Sequence, residues 1–146
     1  MKVGLFFVIV GLGVATVLWV KSSYGVRTAL VTVGRTAFTS FIADTPIGRT
    51  QGLSGHAPLS ERGAMLFVFD RPTEDAFWMQ GMLFPLDFVW ISRGEVVGVT
   101  ENARPMSETG FMLYRPPMFV DRVLEINAGA ARKFGIRAGD KVHYKE

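Results

Sequence analysis

An uninterrupted apolar run near the amino terminus constrains this chain more than any other feature of its sequence. Residues 3–20 carry no charged side chain and no proline, and Lys2 and Lys21 close the run on either side. A helix of this length would be about 27 Å long, close to the hydrocarbon thickness of a bilayer. A buried helix of a soluble protein would carry more polar residues than the single Thr16 found here. The run therefore predicts a single N-terminal transmembrane helix.

Two alternatives remain open for this segment, an uncleaved anchor and a cleaved signal peptide. A secretory signal has a shorter apolar stretch and a small-x-small cleavage site. The best site here, Ser23-Tyr24-Gly25, is a poor match, which favours the anchor. The positive-inside rule, applied to the Lys and Arg residues on either side of the run, predicts that the rest of the chain lies in the cytoplasm. The very short polar segment before the run is instead typical of an exported chain. We expect a single-pass cell-membrane protein with its globular part outside the cytoplasm, or a periplasmic or secreted protein if the signal is cleaved.

Composition and charge exclude several classes of function. The chain has no Cys, which removes disulfide scaffolds, thiol catalysis and Cys-based metal sites. Residues 26–146 carry 14 basic and 13 acidic side chains, and no cluster of Lys or Arg, so we expect no nucleic-acid partner. The two histidines, His56 and His143, lie far apart with no local ligand spacing. We therefore expect neither a metal nor a cofactor.

Residues 26–146 predict one β-rich globular domain behind the N-terminal segment 1–25. Short β-branched or apolar runs, separated by Gly and Pro, occur at 29–33, 36–42, 64–69, 77–82, 86–91, 96–100, 123–126 and 142–144. Thr45-Pro46 predicts the start of one short helix, and 128–134 predicts a second. The predicted fold class is mostly β (α+β), a small barrel-like or sandwich-like domain with one or two short helices.

Six short motifs occur in the order typical of one family. They are Gly52-Leu53-Ser54-Gly55, the 65–69 run, 77–80 leading into Pro85-Leu86-Asp87, Val96-Val97, 123–125 with Ala128-Gly129, and the 135–140 turn. In this order, over roughly residues 30–144, the chain resembles the prokaryotic domain of unknown function family 192. The resemblance implies a compact, mostly β domain, often behind a signal or anchor segment, with no established activity, substrate or cofactor. The chain departs from the family's pattern at His56, where an Arg is common, and at Gly81-Met82-Leu83, which replaces a more polar turn.

Two carboxyl side chains stand inside apolar strands. Asp87 and Glu125 each lie between two apolar residues, and burying an ionised carboxylate costs several kcal/mol unless it is paired or hydrogen-bonded. For Asp87 we favour a structural acceptor that fixes a turn, with Arg49 or Arg104 as its partner, over a functional acid. Alternation along the strand would place Glu125 on the face opposite its apolar neighbours.

A catalytic interpretation of these carboxyl groups remains the alternative. If Asp87 and Glu125 faced each other in a cleft, they could form an acid/base pair of the hydrolase kind, with His56 or an Arg as a third group. No Gly-x-Ser-x-Gly turn marks a serine nucleophile, and Ser54 merely lies near His56. The weak catalytic candidates are therefore Asp87, Glu125 and His56, and the chain is more easily interpreted as a non-enzyme.

Aromatic and proline-rich segments carry the candidate binding residues. The run from Trp78 to Trp90 is rich in aromatic and Met side chains that are typical of a core, although one face of 77–82 could line an apolar pocket. The apolar segment 105–119 contains three prolines, and we expect it to cover the core or to act as a lid or contact surface. The candidate binding residues are Trp78, Met79, Asp87, Arg49, Phe111 and Tyr114. The favoured function is a non-catalytic, membrane-tethered module that binds a ligand or a partner.

Overall fold

The computed structural model describes residues 5–9, 16–20 and 27–145. Its strands are β1 (Leu5–Ile9), β2 (Thr16–Val20), β3 (Thr28–Val33), β4 (Thr36–Ala43), β5 (Gly63–Thr73), β6 (Phe77–Trp78), β7 (Leu86–Ser92), β8 (Glu95–Ala103), β9 (Leu113–Tyr114), β10 (Val120–Asn127) and β11 (Val142–Lys145). Its helices are α1 (Pro46–Gln51), α2 (Met106–Thr109) and α3 (Ala130–Phe134).

The predicted membrane helix over residues 3–20 is not confirmed. Residues 3, 4 and 10–15 lie outside the described residues, and the described parts, β1 and β2, pair with each other as an antiparallel ladder. Among the residues that the structure describes, no helix combines the length and the apolar character needed to cross a bilayer.

Seven strands form one curled sheet in the order β11-β3-β4-β5-β10-β7-β8. All neighbours are antiparallel except β4 and β5, which are parallel. The two outer strands approach each other at one end, where the Val96 amide donates to the Asp140 carbonyl (2.9 Å) and the Val142 amide donates to the Gly94 carbonyl (2.8 Å). The sheet is therefore a half-closed barrel, which confirms the mostly β, barrel-like prediction.

Local sequence signals place several elements as expected. The Thr45 hydroxyl accepts a hydrogen bond from the Gly48 amide (3.0 Å), and Pro46 opens α1, as a capped helix start predicts. Arg93 and Gly94 both take positive φ (51° and 74°), which suits the tight hairpin between β7 and β8. The described part of the chain has three short helices rather than one or two, because the 105–119 segment contains the four-residue α2 as well as the two-residue β9.

The predicted strand over 77–82 is wrong beyond its first two residues. Only Phe77–Trp78 is extended, and it pairs with β9 outside the main sheet. Gly81 then takes a left-handed conformation (φ 70°), and the Met82 amide donates to the Met79 carbonyl (3.3 Å). A turn replaces the strand because glycine tolerates this conformation without steric cost.

The main sheet buries a separate apolar core on each face. Because side chains alternate along a strand, β5, β7 and β10 supply both. The inner core, inside the barrel, includes Val31, Leu66, Val89, Leu124, Ile126 and Ala131. The outer core includes Leu53, Phe67, Met79, Phe88, Trp90 and Val123. Met106 and Tyr114 pack against the outer core, so segment 105–119 covers core there, as expected.

Candidate functional site

A cleft of about 960 Å³ opens on the outer face of the sheet. Its floor is formed by β5 and β10, and its walls are formed by α1 with the turn after it and by residues 75–82. The lining includes Arg49, Leu53, Ser54, Phe67, Phe69, Asp75, Phe77, Trp78, Gln80, Gly81, Met82 and Glu125. Most of these side chains are apolar or aromatic, and a few polar groups lie among them, which is typical of a small-molecule site.

Glu125 lies at the floor of this cleft with only 5% of its surface exposed. Its neighbours across the ladders are Met65 of β5 and Phe88 of β7, and neither of these side chains offers a strong hydrogen-bonding group. Within the described residues, the Oε2 atom of Glu125 has no hydrogen-bond partner. Burial disfavours the charged form and raises the pKa of this carboxyl to about 8. At neutral pH the side chain is therefore mostly protonated and able to donate a hydrogen bond.

Asp87 is also fully buried, but backbone donors surround it. Its Oδ1 accepts from the Asn102 amide (2.8 Å), and its Oδ2 accepts from the Ala131 amide (3.0 Å). The first bond fixes a bulge in β8, where Asn102 takes positive φ (55°). The second satisfies an amide at the start of α3, which has no side-chain cap of its own. The partners of Asp87 are thus backbone amides, and the predicted pairing with Arg49 or Arg104 is wrong.

The two carboxyl groups lie on opposite faces of the sheet. In the β10–β7 ladder Asp87 pairs with Ile126, whereas Glu125 pairs with Phe88. Directly paired residues share a face and successive residues alternate, so Asp87 points to the inner core and Glu125 to the outer cleft. The acid/base pair that the hydrolase alternative required does not form.

Arg49 stands at the far end of the cleft from Glu125. Its guanidinium donates to the carbonyls of Asp44 (2.7 Å) and Val68 (2.9 Å) and lies 5.6 Å from the centroid of the Phe69 ring. Phe69 is four residues beyond Met65, the partner of Glu125, and four residues of strand span about 13 Å. The Arg49 guanidinium also forms an ion pair with the exposed Asp70 (3.8 Å). The cleft therefore has a paired guanidinium at one end and the buried Glu125 carboxyl at the other, separated by aromatic rings.

The family model DUF192, described as "uncharacterized ACR", matches residues 29–144 of the chain. The chain belongs to the DUF192 family. A protein of unknown function from Novosphingobium aromaticivorans DSM 12444 is 30% identical to this chain and superposes on it with a TM-score of 0.75. The match covers 84% of this chain and 89% of that protein. A Sinorhizobium meliloti 1021 protein is 29% identical to this chain, with a TM-score of 0.77, and its description proposes a transcription regulator. The match covers 84% of this chain and 98% of that protein. No curated protein matches this chain.

The two segments that we expect to depart from the DUF192 pattern lie in different places. Gly81 and Met82 line the cleft, and a Cβ on Gly81 would lie 2.1 Å from the Ser54 hydroxyl oxygen. The Gly55 amide donates to the Gly81 carbonyl (2.9 Å), which joins the two walls. His56 is outside the lining and lies beside the Phe41 ring, with centroids 6.1 Å apart. The turn at Gly81 therefore shapes this cleft, and His56 does not.

Only some of the candidate site residues predicted from the sequence line the cleft. Arg49, Trp78 and Glu125 line it, and Trp78 is 47% exposed. The other candidates lie outside the lining. Met79 is buried in the outer core, and Tyr114 packs on Phe88 with ring centroids 5.5 Å apart. Phe111 is 71% exposed, and the positions of Asp87 and His56 are described above. No group of three or more His, Asp or Glu within the described residues could hold a metal ion.

Sequence reasoning missed several lining residues. The sequence pattern predicts Phe67 and Phe69 only as strand residues and offers Ser54 only as a disfavoured nucleophile. Gln80 belongs to the 77–82 stretch, of which one face could line an apolar pocket. Alternation along β5 places residues 65, 67 and 69 on one face, so the pattern contained a signal for the aromatic floor. The positions of Ser54 and Gln80 depend on how two turns meet above the sheet, and no local pattern reports that contact.

Proposed function

We propose that this DUF192 chain is a membrane-tethered, extracytoplasmic binding module that holds a ligand in the outer cleft without catalysing its reaction. The observation that carries the binding role is the Glu125 carboxyl, whose Oε2 is buried at the cleft floor with no partner among the described residues. Buried polar atoms of proteins are nearly always hydrogen-bonded. Glu125 Oε2 is the one atom of this kind in the cleft lining among the described residues, so it is the group there that is open to a hydrogen bond with an entering ligand.

The size and lining of the cleft favour a small molecule or a short segment of a larger one. A volume of about 960 Å³ is within the range of small-molecule sites, which is about 300 to 1,000 Å³. Phe67 and Phe77 meet edge to face with centroids 5.2 Å apart, and Phe77 and Trp90 do so at 5.4 Å. These contacts hold the aromatic lining rigid, which lowers the entropic cost of binding.

The hydrolase alternative loses its support from the same geometry. Paired-carboxylate hydrolysis needs an acid and a base within several ångströms of each other on one side of the substrate site. Asp87 faces the inner core, and Asp75, the other carboxyl in the lining, lies on an exposed turn. A single neutral acid can donate a hydrogen bond, and this is sufficient for recognition.

The description of the Sinorhizobium meliloti relative would suggest binding to nucleic acid. The charges of this chain argue against carrying that suggestion over. Residues 26–146 are nearly balanced in charge, and several basic side chains form ion pairs, including Arg132 with Glu101 (2.5 Å) and Arg122 with Asp121 (3.0 Å). Neutralised side chains contribute little to the phosphate contacts on which nucleic-acid affinity depends.

The membrane part of the proposal rests on the apolar run at residues 3–20. Exposed apolar side chains beside the cleft support a location near lipid, because soluble proteins rarely expose large apolar patches without a contact role. Trp78 and Leu113 are directly paired across β6 and β9, and both are more than 40% exposed, as is the nearby Phe111. A reporter fused after Glu146 tests this part. Activity only outside the cytoplasm, with the fusion in the membrane fraction, is expected, and activity only in the cytosol would contradict it.

The cleft itself is tested by a fragment screen on the full chain in mild detergent, observed through methionine methyl groups by NMR. Met82 lines the cleft, whereas Met118 is exposed outside the lining and serves as the internal control. We expect fragments that shift the Met82 methyl signal and leave the Met118 signal unchanged. A screen in which no fragment shifts Met82 selectively would overturn the binding role.

A further inference from the structure

The chemistry of the ligand follows from the surroundings of Glu125, if the outer cleft is the binding site proposed above. We propose that the neutral Glu125 carboxyl donates a hydrogen bond to a carbonyl, amide or hydroxyl oxygen of an uncharged ligand that carries a flat apolar ring. The ring would lie among the aromatic side chains of Phe67, Phe77 and Trp78, which line the same cleft.

The first step is the shortage of donors around Glu125. Its ladder neighbours are Met65 and Phe88, and its Oε2 is buried without a partner among the described residues. A carboxylate kept in such a place would be costly, whereas a protonated carboxyl is tolerated and offers one strong donor. Burial is the only cause of its raised pKa, so no neighbouring charge holds the group in either form.

The second step concerns the other charged groups near the cleft. Arg49 and Asp75 are the other formally charged residues in the lining. Arg49 is held at the Phe69 end by backbone carbonyls and by an ion pair with the exposed Asp70 (3.8 Å), and Asp75 is exposed. Tyr114 approaches from β9 but packs on Phe88, and His56 lies beside Phe41 outside the lining. None of these contacts supplies Glu125 with a counterion, so the buried end of the ligand meets a neutral donor.

The third step selects among ligand charges. An anion at the floor would be desolvated without a nearby cation, which is unfavourable. A cation would bind best after Glu125 has lost its proton, so its affinity would rise with pH. An uncharged acceptor needs the proton that Glu125 already holds, so its affinity would fall as that proton is lost. The pH dependence of binding therefore distinguishes the three classes.

Three probes of one shape provide the test: benzamide, the benzylammonium ion and benzoate. Each is titrated into the full chain in mild detergent at pH 6 and pH 9, with the Met82 methyl signal as the readout and Met118 as the control. We expect benzamide to bind best at pH 6. Its affinity should fall about tenfold at pH 9, because a carboxyl with a pKa of about 8 then remains protonated in roughly a tenth of the molecules.

Two variants separate Glu125 from the other ionisable groups. Glu125→Gln keeps a donor that does not titrate, so benzamide binding should persist and become nearly independent of pH. Glu125→Leu keeps a similar volume without a donor, so benzamide affinity should fall at least tenfold at both pH values. The methyl signal of Met79, which lies in the outer core and is not a ladder neighbour of Glu125, reports whether each variant keeps the fold.

The outcomes distinguish this inference from the proposed function. Benzylammonium binding at Met82 that strengthens with pH, or benzamide binding that the Glu125→Leu variant leaves unchanged, would overturn the ligand class and keep the cleft as a binding site. Failure of all three probes to shift Met82 while other fragments do so would also overturn the ligand class alone. Failure of every fragment would overturn both.

Discussion

The inner and outer faces of the main sheet bury two similar carboxyl groups in opposite ways. On the inner face, Asp87 accepts hydrogen bonds from the amides of Asn102 and Ala131. On the outer face, Glu125 is almost as deeply buried, yet its Oε2 has no partner within the described residues. The first group joins β7 to β8 and α3, and the second faces a cleft. Burial alone therefore does not identify a functional acid, and the proposed binding role rests on burial without donors beside open space.

The strongest test of this contrast is the pH dependence of stability. Folding raises the Glu125 pKa from an ordinary 4.5 to about 8, so the folded protein keeps a proton that the unfolded chain releases. The free energy of unfolding should therefore fall as pH rises between these values, by up to about 1.4 kcal/mol per unit and at most about 5 kcal/mol in total. Urea titrations at pH 5, 6, 7 and 8 measure the slope.

The Glu125→Gln variant is the control for that slope. Its side chain does not titrate, so the decline in stability should become much shallower and the variant should exceed the wild type near pH 8. A wild-type slope that survives unchanged in the variant would show that Glu125 is ionised or solvated in the folded protein, and the contrast between the two faces would disappear.

Removing the inner carboxyl should have the next largest effect. Asp87→Ala leaves the buried amides of Asn102 and Ala131 without their acceptor, and each such loss costs about 1 to 3 kcal/mol. We expect a loss of about 3 kcal/mol in the free energy of unfolding at pH 7, measured by urea denaturation. Asp121→Ala, at a partly exposed carboxyl in β10, should cost less than about 1 kcal/mol. Equal losses in the two variants would contradict the structural role of Asp87.

A third test acts on the walls of the cleft. Gly81→Ala places a Cβ 2.1 Å from the Ser54 hydroxyl oxygen, on a residue with φ of 70°. We expect a loss of about 2 kcal/mol and a shift of the Met82 methyl signal, because alanine is strained at this φ and the Ser54 hydroxyl must rotate away or the two walls must separate. Gly55→Ala is the matched control, since it has a similar φ (72°) but no atom within 4 Å of its Cβ. Ser54→Ala should restore part of the loss in the Gly81→Ala background, and no restoration would contradict the steric cause.

Local patterns predicted the face of Glu125 better than its relation to Asp87. Alternation between Leu124 and Ile126 placed Glu125 opposite its apolar neighbours, and the outer position of Glu125 agrees with that expectation. The relation to Asp87 depends on the register between β7 and β10, whose residues are more than 30 positions apart in sequence. Two strands can pair in either register without changing their own patterns, and a slip of one residue exchanges the faces.

The same limit explains the cleft. The Thr45-Pro46 cap depends on neighbouring residues and is as predicted, and the turn at Gly94 is equally local. The pattern around Gly81 resembles a strand because its neighbours are apolar. The turn there depends on another segment, since the Gly81 carbonyl accepts a hydrogen bond from the Gly55 amide. Sequence therefore predicted the barrel and its caps, while the site arises where two distant turns meet above β5.

The smallest expected effect comes from weakening α1, the helix that carries Arg49 into the cleft. It tests whether the outer cleft can loosen without the inner core. Thr45→Ala removes the hydroxyl that accepts from the Gly48 amide, a loss of about 1 kcal/mol. Amide hydrogen exchange in α1 should quicken about fivefold, while exchange at Asn102 and Ala131 stays unchanged, because Asp87 holds those amides independently on the inner face. Thr50→Ala, whose hydroxyl donates only to the Pro46 carbonyl within α1, should change exchange less. Equal acceleration on both faces would mean that α1 is coupled to the whole barrel, and the outer cleft could not loosen without the inner core.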